Sequence, residues 1–158
     1  MKTIQRFIQA ADSYTDYDKQ PRQYGTDDIV YMSEAYFLQA AARCDKPEIG
    51  KIAERLGVTP GAASQTAAKL EAKGLITRVR STEDSRVVLV RLSERAKKLN
   101  AYHDELDLRE FGKLGDRMME FSPGETDAIY RFLEIINSFF HEDIEGIMKD
   151  WKYRPENE

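Results

Sequence analysis

The chain has 158 residues, 24 Lys and Arg against 28 Asp and Glu, and a formal net charge of -4. At 41% hydrophobic and 33% charged residues it has the composition of a globular protein of one domain or two closely coupled lobes, and a mildly acidic total argues by itself against a nucleic-acid partner. One Cys excludes an intrachain disulfide or a Cys-rich zinc framework, and two His leave little room for His-based catalysis; no metal site and no cofactor are expected.

Residues 1–20 predict an amphipathic helix, with Ile4, Phe7, Ile8, Ala11 and Tyr14 on one face. The start holds no unbroken apolar stretch and no cleavage site, and no apolar run approaches the roughly 20 residues of a membrane span. A cytoplasmic location without membrane association is therefore expected. Pro21 and Gly25 interrupt the first pattern, and a second helix is expected after Met32, with Ser33 as N-cap and Ala35, Phe37, Leu38, Ala41 and Ala42 apolar. Pro47 suits the first turn of a short third helix, Glu48 to Leu56, that points Ile49, Ile52, Ala53 and Leu56 inward. Gly57 ends it as a residue free to take positive φ, and Val58 fills the corner. Thr59 as N-cap and Pro60 as first residue start a fourth helix that runs to Gly74. Two short helices joined by a glycine turn form a helix-turn-helix.

The period then changes. Residues 75–80 and 87–92 are β-branched, Arg-bearing runs separated by the polar stretch 81–86, which predicts a hairpin with a long tip, a wing. Ser93 caps a long helix carrying Leu99, Tyr102, Leu106, Phe111, Leu114 and Met118, weakened by Gly112 and Gly115. Ser122-Pro123-Gly124-Glu125 combines a capping box with proline at the first position. The last helix carries Ile129, Phe132, Leu133, Ile136, Phe140, Ile144 and Ile147, and the tail beyond residue 154 is expected to fray. No repeats or low-complexity segments stand out.

Placing the charges changes their meaning. Residues 43–98 hold thirteen basic and seven acidic residues, a net +6, and the remainder holds 11 against 21, a net -10. Screening fades charges beyond about 10 Å at 0.1 M salt, so a basic patch attracts phosphate whatever the distant ends carry.

The run Ile49 to Ile76, the wing tip Asp84-Ser85-Arg86 and the stretch Leu92-Ser93-Glu94-Arg95 resemble the MarR (multiple antibiotic resistance regulator) family, and the flanking helices fit too. The resemblance implies a homodimeric winged-helix transcription regulator, commonly a repressor relieved by a small ligand or an oxidant. The fold class expected is mainly α (α+β), a winged helix-turn-helix with N- and C-terminal helices forming a dimerisation lobe. Its parts would be residues 1–31, an N-terminal dimerisation helix and connection; 32–92, the DNA-binding lobe; and 93–158, the C-terminal dimerisation helices.

Specific residues follow. Helical spacing turns Ala63, Ala67 and Leu70 inward and leaves Pro60, Gly61, Ser64, Gln65, Ala68 and Lys69 outward. Ser64 can donate to a phosphate or base edge, Gln65 can pair with adenine, and Lys69 and Thr66 suit phosphate. Arg86, on the wing tip, can enter a narrow minor groove, and Asp84 can steer it, or another wing arginine, by a charge-assisted bond. Arg78 and Arg80 share one strand face and are phosphate-contact candidates, with a solvated face as the alternative. Ile4, Phe7, Ile8, Phe132, Leu133, Ile136 and Phe140 form apolar stripes that a small winged-helix lobe cannot cover, which implies a homodimer, with packing inside one chain as the alternative. Tyr14, Tyr17, Tyr31 and Tyr36, with Tyr24, crowd the N-terminal third and are candidates for a small-molecule effector site, with ordinary packing as the alternative. Cys44 lies at a helix end near Arg43 and Lys46, which can favour a thiolate, although a quiet, partly buried thiol is the simpler reading. His103 with Asp104 or Glu105 is a sparse metal constellation. The partner expected is double-stranded DNA; the competing reading is a winged-helix protein-interaction module that has lost DNA binding. No nucleophile elbow, phosphate-cradling glycine loop or metal-spaced His pair supports an enzyme.

Overall fold

The computed structural model describes residues 2–84 and 86–152, with side chains as far as residue 142 and without that of Ser85. The side chains of Ile144 and Ile147 and the tail from residue 154 therefore lie outside what is described. The element order is α1 (Lys2–Asp18), β1 (Arg22–Gln23), β2 (Ile29–Val30), α2 (Met32–Ala42), α3 (Ile49–Leu56), α4 (Pro60–Ala72), β3 (Ile76–Arg80), β4 (Val88–Leu92), α5 (Glu94–Met118) and α6 (Pro123–Lys152). The chain is a winged-helix protein, mainly helical with two small antiparallel sheets. It divides into two compact units, Met1–Arg109 and Glu110–Glu158, and the division falls within α5.

Local chemistry explains most boundaries. Gly57 sits at φ +64 and caps α3, a conformation that strains any residue with a Cβ. The Thr59 side chain accepts a hydrogen bond from the Ala62 N–H at 3.2 Å, and Pro60 follows as the first helical residue. At α6 the Ser122 N–H donates to Glu125 Oε2 at 2.9 Å and the Glu125 N–H donates to Ser122 Oγ at 3.4 Å, which together make the capping box.

Four sequence expectations are corrected. The connection after α1 contains a β1–β2 hairpin, with Arg22 opposite Val30, and Tyr24 and Val30 from it are core residues. Two-residue strands leave too short a pattern for periodicity to register. The N-cap of α2 is Tyr31, not Ser33, because Glu34 Oε2 reaches back to accept from the Tyr31 N–H at 2.8 Å. Pro47 lies outside α3, whose N-cap is Glu48; its carbonyl accepts from the Val90 N–H at 2.9 Å, and Glu48 bridges Leu89, so this segment edges the wing instead. Val58, expected to fill the turn, is exposed.

The core of the first unit gathers Tyr24, Phe37, Leu38, Ile52, Ala63, Ala67, Leu70, Leu75, Ile76, Val90 and Leu99. Ala63, Ala67 and Leu70 are the buried face of α4, as helical spacing requires, so the opposite face is turned outward. The wing pairs β3 with β4 from Ile76 opposite Leu92 to Arg80 opposite Val88. On α5, Ala96, Leu99, Asn100 and His103 are buried, and the helix continues through Gly112 and Gly115.

His103 is fully buried, edge-on to the rings of Tyr24 and Tyr36 at 4.9 and 5.6 Å between centroids. Burial pushes its pKa down, against the pull of Asp107, whose Oδ2 lies 3.6 Å from Nδ1. A histidine whose folded pKa lies below its unfolded value contributes stability above the unfolded pKa, about 6.5, and loses it as pH falls. The melting temperature is therefore expected to drop between pH 7.5 and pH 5.5, and His103→Phe should flatten that slope. A slope unchanged in the variant, followed by circular dichroism, would remove His103 as its source.

Candidate nucleic-acid interface

The helix-turn-helix presents one face of α4 to solvent. Pro60, Gly61, Gln65, Ala68 and Lys69 are exposed, and Ser64 and Thr66 are half-buried. Thr66 Oγ1 donates to the Ala62 carbonyl at 3.1 Å, which commits its proton within the helix and leaves its oxygen as an acceptor. A Cβ built on Gly61 would meet only Thr59 Oγ1, at 3.9 Å. The fold does not require glycine there, and its effect is to keep the leading turn of the helix low.

The wing tip is tied by its own backbone, with the Ser81 N–H donating to the Val87 carbonyl and the Val87 N–H to the Asp84 carbonyl, both at 2.9 Å. Arg86 and Asp84 form a two-pronged pair: Nε to Oδ1 at 3.1 Å and a terminal nitrogen to Oδ2 at 3.0 Å. Asp84 Oδ1 also accepts from the Arg86 N–H at 2.9 Å. These bonds hold the Asp84 carboxyl below its usual range. The guanidinium nevertheless stays 89% exposed, so Asp84 aims the Arg86 side chain without covering it.

Arg78 behaves differently. Its Nε and backbone N–H both donate to Glu71, at 2.8 and 2.9 Å, and a terminal nitrogen lies 2.7 Å from Glu71 Oε2. This clasp ties the first wing strand to the last turn of α4 and lowers the Glu71 pKa. Arg80 shares the exposed strand face with Arg78. Sequence reasoning missed Glu71, because a partner seven residues away across a glycine turn has no local signature. It likewise missed the Lys46–Glu83 ion pair, 3.2 Å, between the segment before α3 and the wing.

The tyrosines have separate tasks. The Tyr36 pKa is raised, chiefly by burial and next by its interaction with Tyr14. Arg22 lies 4.0 Å over the Tyr17 ring and donates to the Tyr17 carbonyl, whereas Tyr31 lies beside Lys73. Tyr14, Tyr17 and Tyr31 are each about half exposed. Cys44 is a half-buried free thiol. The apolar stripe residues Ile4, Ile8, Leu133 and Phe140 are exposed, while Phe7, Phe132 and Ile136 are half-buried.

This arrangement can be set against known proteins. The model of the MarR family matches residues 38–88, which span α2 to the wing. Residues 38–88 thus carry the likeness to the MarR family. The transcriptional regulator ZitR of Lactococcus lactis subsp. cremoris is 37% identical over 93 residues, 57% of this chain and 62% of ZitR. The match thus spans less than two thirds of that relative's length. Among solved structures, the zinc-responsive MarR family member ZitR of Lactococcus lactis is similar over 88% of this chain and 97% of its own, with 26% identity and a TM-score of 0.66. Wild-type ZitR in complex with DNA gives 26% identity over 88% and 96% of the two chains, also at a TM-score of 0.66. The adhesin competence repressor AdcR of Streptococcus pyogenes shares the fold at 15% identity and a TM-score of 0.68, over 88% and 96% of the chains.

The Asp84–Arg86 pair yields a direct test. Asp84→Ala should leave Arg86 mobile, seen as faster solvent exchange of its Nε–H by NMR. Global stability should be nearly unchanged, because exposed pairs contribute little. A protected Nε–H in the variant would show that the backbone, not Asp84, orders Arg86.

Proposed function

We propose that this chain is a MarR-family, sequence-specific, double-stranded DNA-binding transcriptional regulator in the cytoplasm, a ligand-responsive repressor rather than an enzyme. It acts as a homodimer on a pseudo-palindromic operator. The observation that carries this reading is the joint presentation of an exposed α4 face and an exposed Arg86 held by Asp84 in one compact unit. The existence of a related protein, ZitR, in complex with DNA supports it.

Each residue has a task in this reading. The leading turn of α4 enters the major groove, where Gln65 can make two bonds to adenine for about 1–3 kcal/mol of discrimination, with Ser64 beside it. Pro60 and Gly61 keep the approach close, Lys69 meets phosphate, and Thr66 joins it only if its hydroxyl leaves the Ala62 carbonyl. Arg86 reaches a narrow minor groove, where the negative potential is strongest. Arg80 faces phosphate, and Arg78 joins it only if it leaves Glu71.

The dimer covers the apolar stripes of α1 and α6. Ile4, Phe7 and Ile8 on α1 and Phe132, Leu133, Ile136 and Phe140 on α6 would meet a second copy, and the lobes fall as 1–31 and 93–158 about the DNA-binding part, 32–92. Among the described residues no helix is long and apolar enough to cross a membrane. An effector site formed by Tyr14, Tyr17, Tyr31 and Tyr36 is part of the proposal.

The zinc response that names ZitR does not transfer to these residues. No group of three or more His, Cys, Asp or Glu among the described residues is placed to hold a metal ion. Both ring nitrogens of His103 lack hydrogen-bond partners, but Tyr24 and Tyr36 pack against the ring. Asp104 accepts from Gln39, Arg43 and Asn100, and Glu34 is neutralised by Lys73. Among the described residues Asp104 and Glu34 are engaged within the fold, and the effector proposed is a small molecule at the tyrosines.

The test is enrichment of bound duplexes from a random pool. The expected result is a pseudo-palindrome with half-sites one helical turn, about 34 Å, apart. Arg86→Ala should weaken the enriched duplex at least tenfold while sedimentation still shows a dimer. A protein that enriches no sequence and whose binding to duplex DNA has no salt dependence would instead be a protein-interaction module.

A further inference from the structure

The C-terminal end of α4 is held in a way that the DNA-facing residues do not explain. Lys73 caps the helix, and its Nζ reaches both oxygens of Glu34, at 2.7 and 2.8 Å, and the Ile29 carbonyl at 2.9 Å. Glu34 is buried, with 3% side-chain exposure. The Lys73 carbonyl in turn accepts from a terminal nitrogen of Arg95 at 2.6 Å. The Nε of the same guanidinium lies 2.8 Å from Asp28 Oδ2, an ion pair whose N–H is not aligned for a hydrogen bond. Gly74 follows at φ +66, and a Cβ there would stand 3.6 Å from Arg95. Lys73 is thus gripped at both its side chain and its carbonyl. The grips come from α2, from the β1–β2 hairpin and from the first turn of α5.

We propose that Lys73 and Arg95 are positioning residues for DNA recognition. They seat the end of the recognition helix against the hairpin and α5 and do not themselves touch phosphate. Both count toward the basic charge of residues 43–98, yet each is turned to a protein partner. The Arg95 guanidinium spans two partners in different parts of the fold, pairing its charge with the Asp28 carboxylate and donating to the Lys73 carbonyl. Lysine, a point charge on a flexible stem, cannot reproduce that bridge. Fixing the far end of α4 fixes the angle at which Ser64 and Gln65 meet base edges. Loss of the grip should therefore remove discrimination between sequences and leave the general attraction to DNA.

The inference rests on the DNA-binding reading, and the experiment separates the two. The probes are a duplex enriched by the wild type and a scrambled duplex of equal composition, titrated by fluorescence anisotropy across a salt series. Arg95→Ala and Arg95→Lys are both expected to bind the enriched duplex at least tenfold more weakly. Binding to the scrambled duplex should stay within about twofold, and the salt slope should stay that of the wild type. A phosphate contact would act differently. Arg95→Ala would then weaken both duplexes alike and reduce the slope by about 0.9, and Arg95→Lys would restore both. That pattern, or affinity unchanged in both variants, overturns the proposal. If Arg95→Ala does not melt cooperatively, Arg95→Lys, which keeps the charge, decides by the same criteria. A wild type that enriches no duplex overturns the DNA-binding reading, and the positioning role with it.

Discussion

A carboxylate buried as deeply as Glu34 must be neutralised within the fold, because an unpaired buried charge costs several kcal/mol. Lys73 and the Tyr31 N–H satisfy it, and much of the first unit depends on that choice. The bond to the Tyr31 N–H sets where α2 begins. The bond to Lys73 fixes where α4 ends relative to α2, and the Lys73 carbonyl hands the constraint to Arg95 at the start of α5. One desolvated charge therefore sets the register of three helices around the apolar core.

The same logic governs the basic segment. Of its thirteen positive residues at least eight form ion pairs: Arg43, Lys46, Lys51, Lys73, Arg78, Arg86, Arg95 and Lys97. The pairs are not equivalent. Lys97 with Glu94 is an exposed pair on one helix, contributing little and open to competition from phosphate. Lys73 with Glu34 is largely buried and structural. Arg86 with Asp84 lies between, aligned by its partner but open to solvent. A net charge of +6 thus overstates the field directed at a phosphate backbone, and the geometry of individual pairs decides which cations face outward.

The apolar residues divide along similar lines. The first unit closes its own core with Phe37, Leu38, Ile52, Leu70 and Leu99. No residue of α1 is buried, and Tyr130, Leu133, Ile135, Phe139 and Phe140 of α6 stand exposed in a single chain. Exposed apolar surface on two separate helices is what a homodimer would remove from water, and its burial is the driving term for association.

The sequence by itself determined the helix-turn-helix, the wing and the caps at the end of α3 and the starts of α4 and α6, but not the starts of α2 and α3. Gly57, Thr59-Pro60 and the Ser122–Glu125 box act through bonds within a few residues, so their signals are local. It also determined the outward face of α4, since Ala63, Ala67 and Leu70 recur at helical spacing, and it narrowed the partner of Asp84 to a wing arginine, which the structure shows to be Arg86. Tertiary structure alone decided the β1–β2 hairpin, the partner of Arg78, the neutralisation of Glu34 and the place of Pro47 at the wing's edge. Lys73 and Glu34 are 39 residues apart, and Arg95 and Lys73 are 22 apart. Nothing in the pattern around a charged residue tells which distant charge will meet it, because that choice is made by the packing of the core between them.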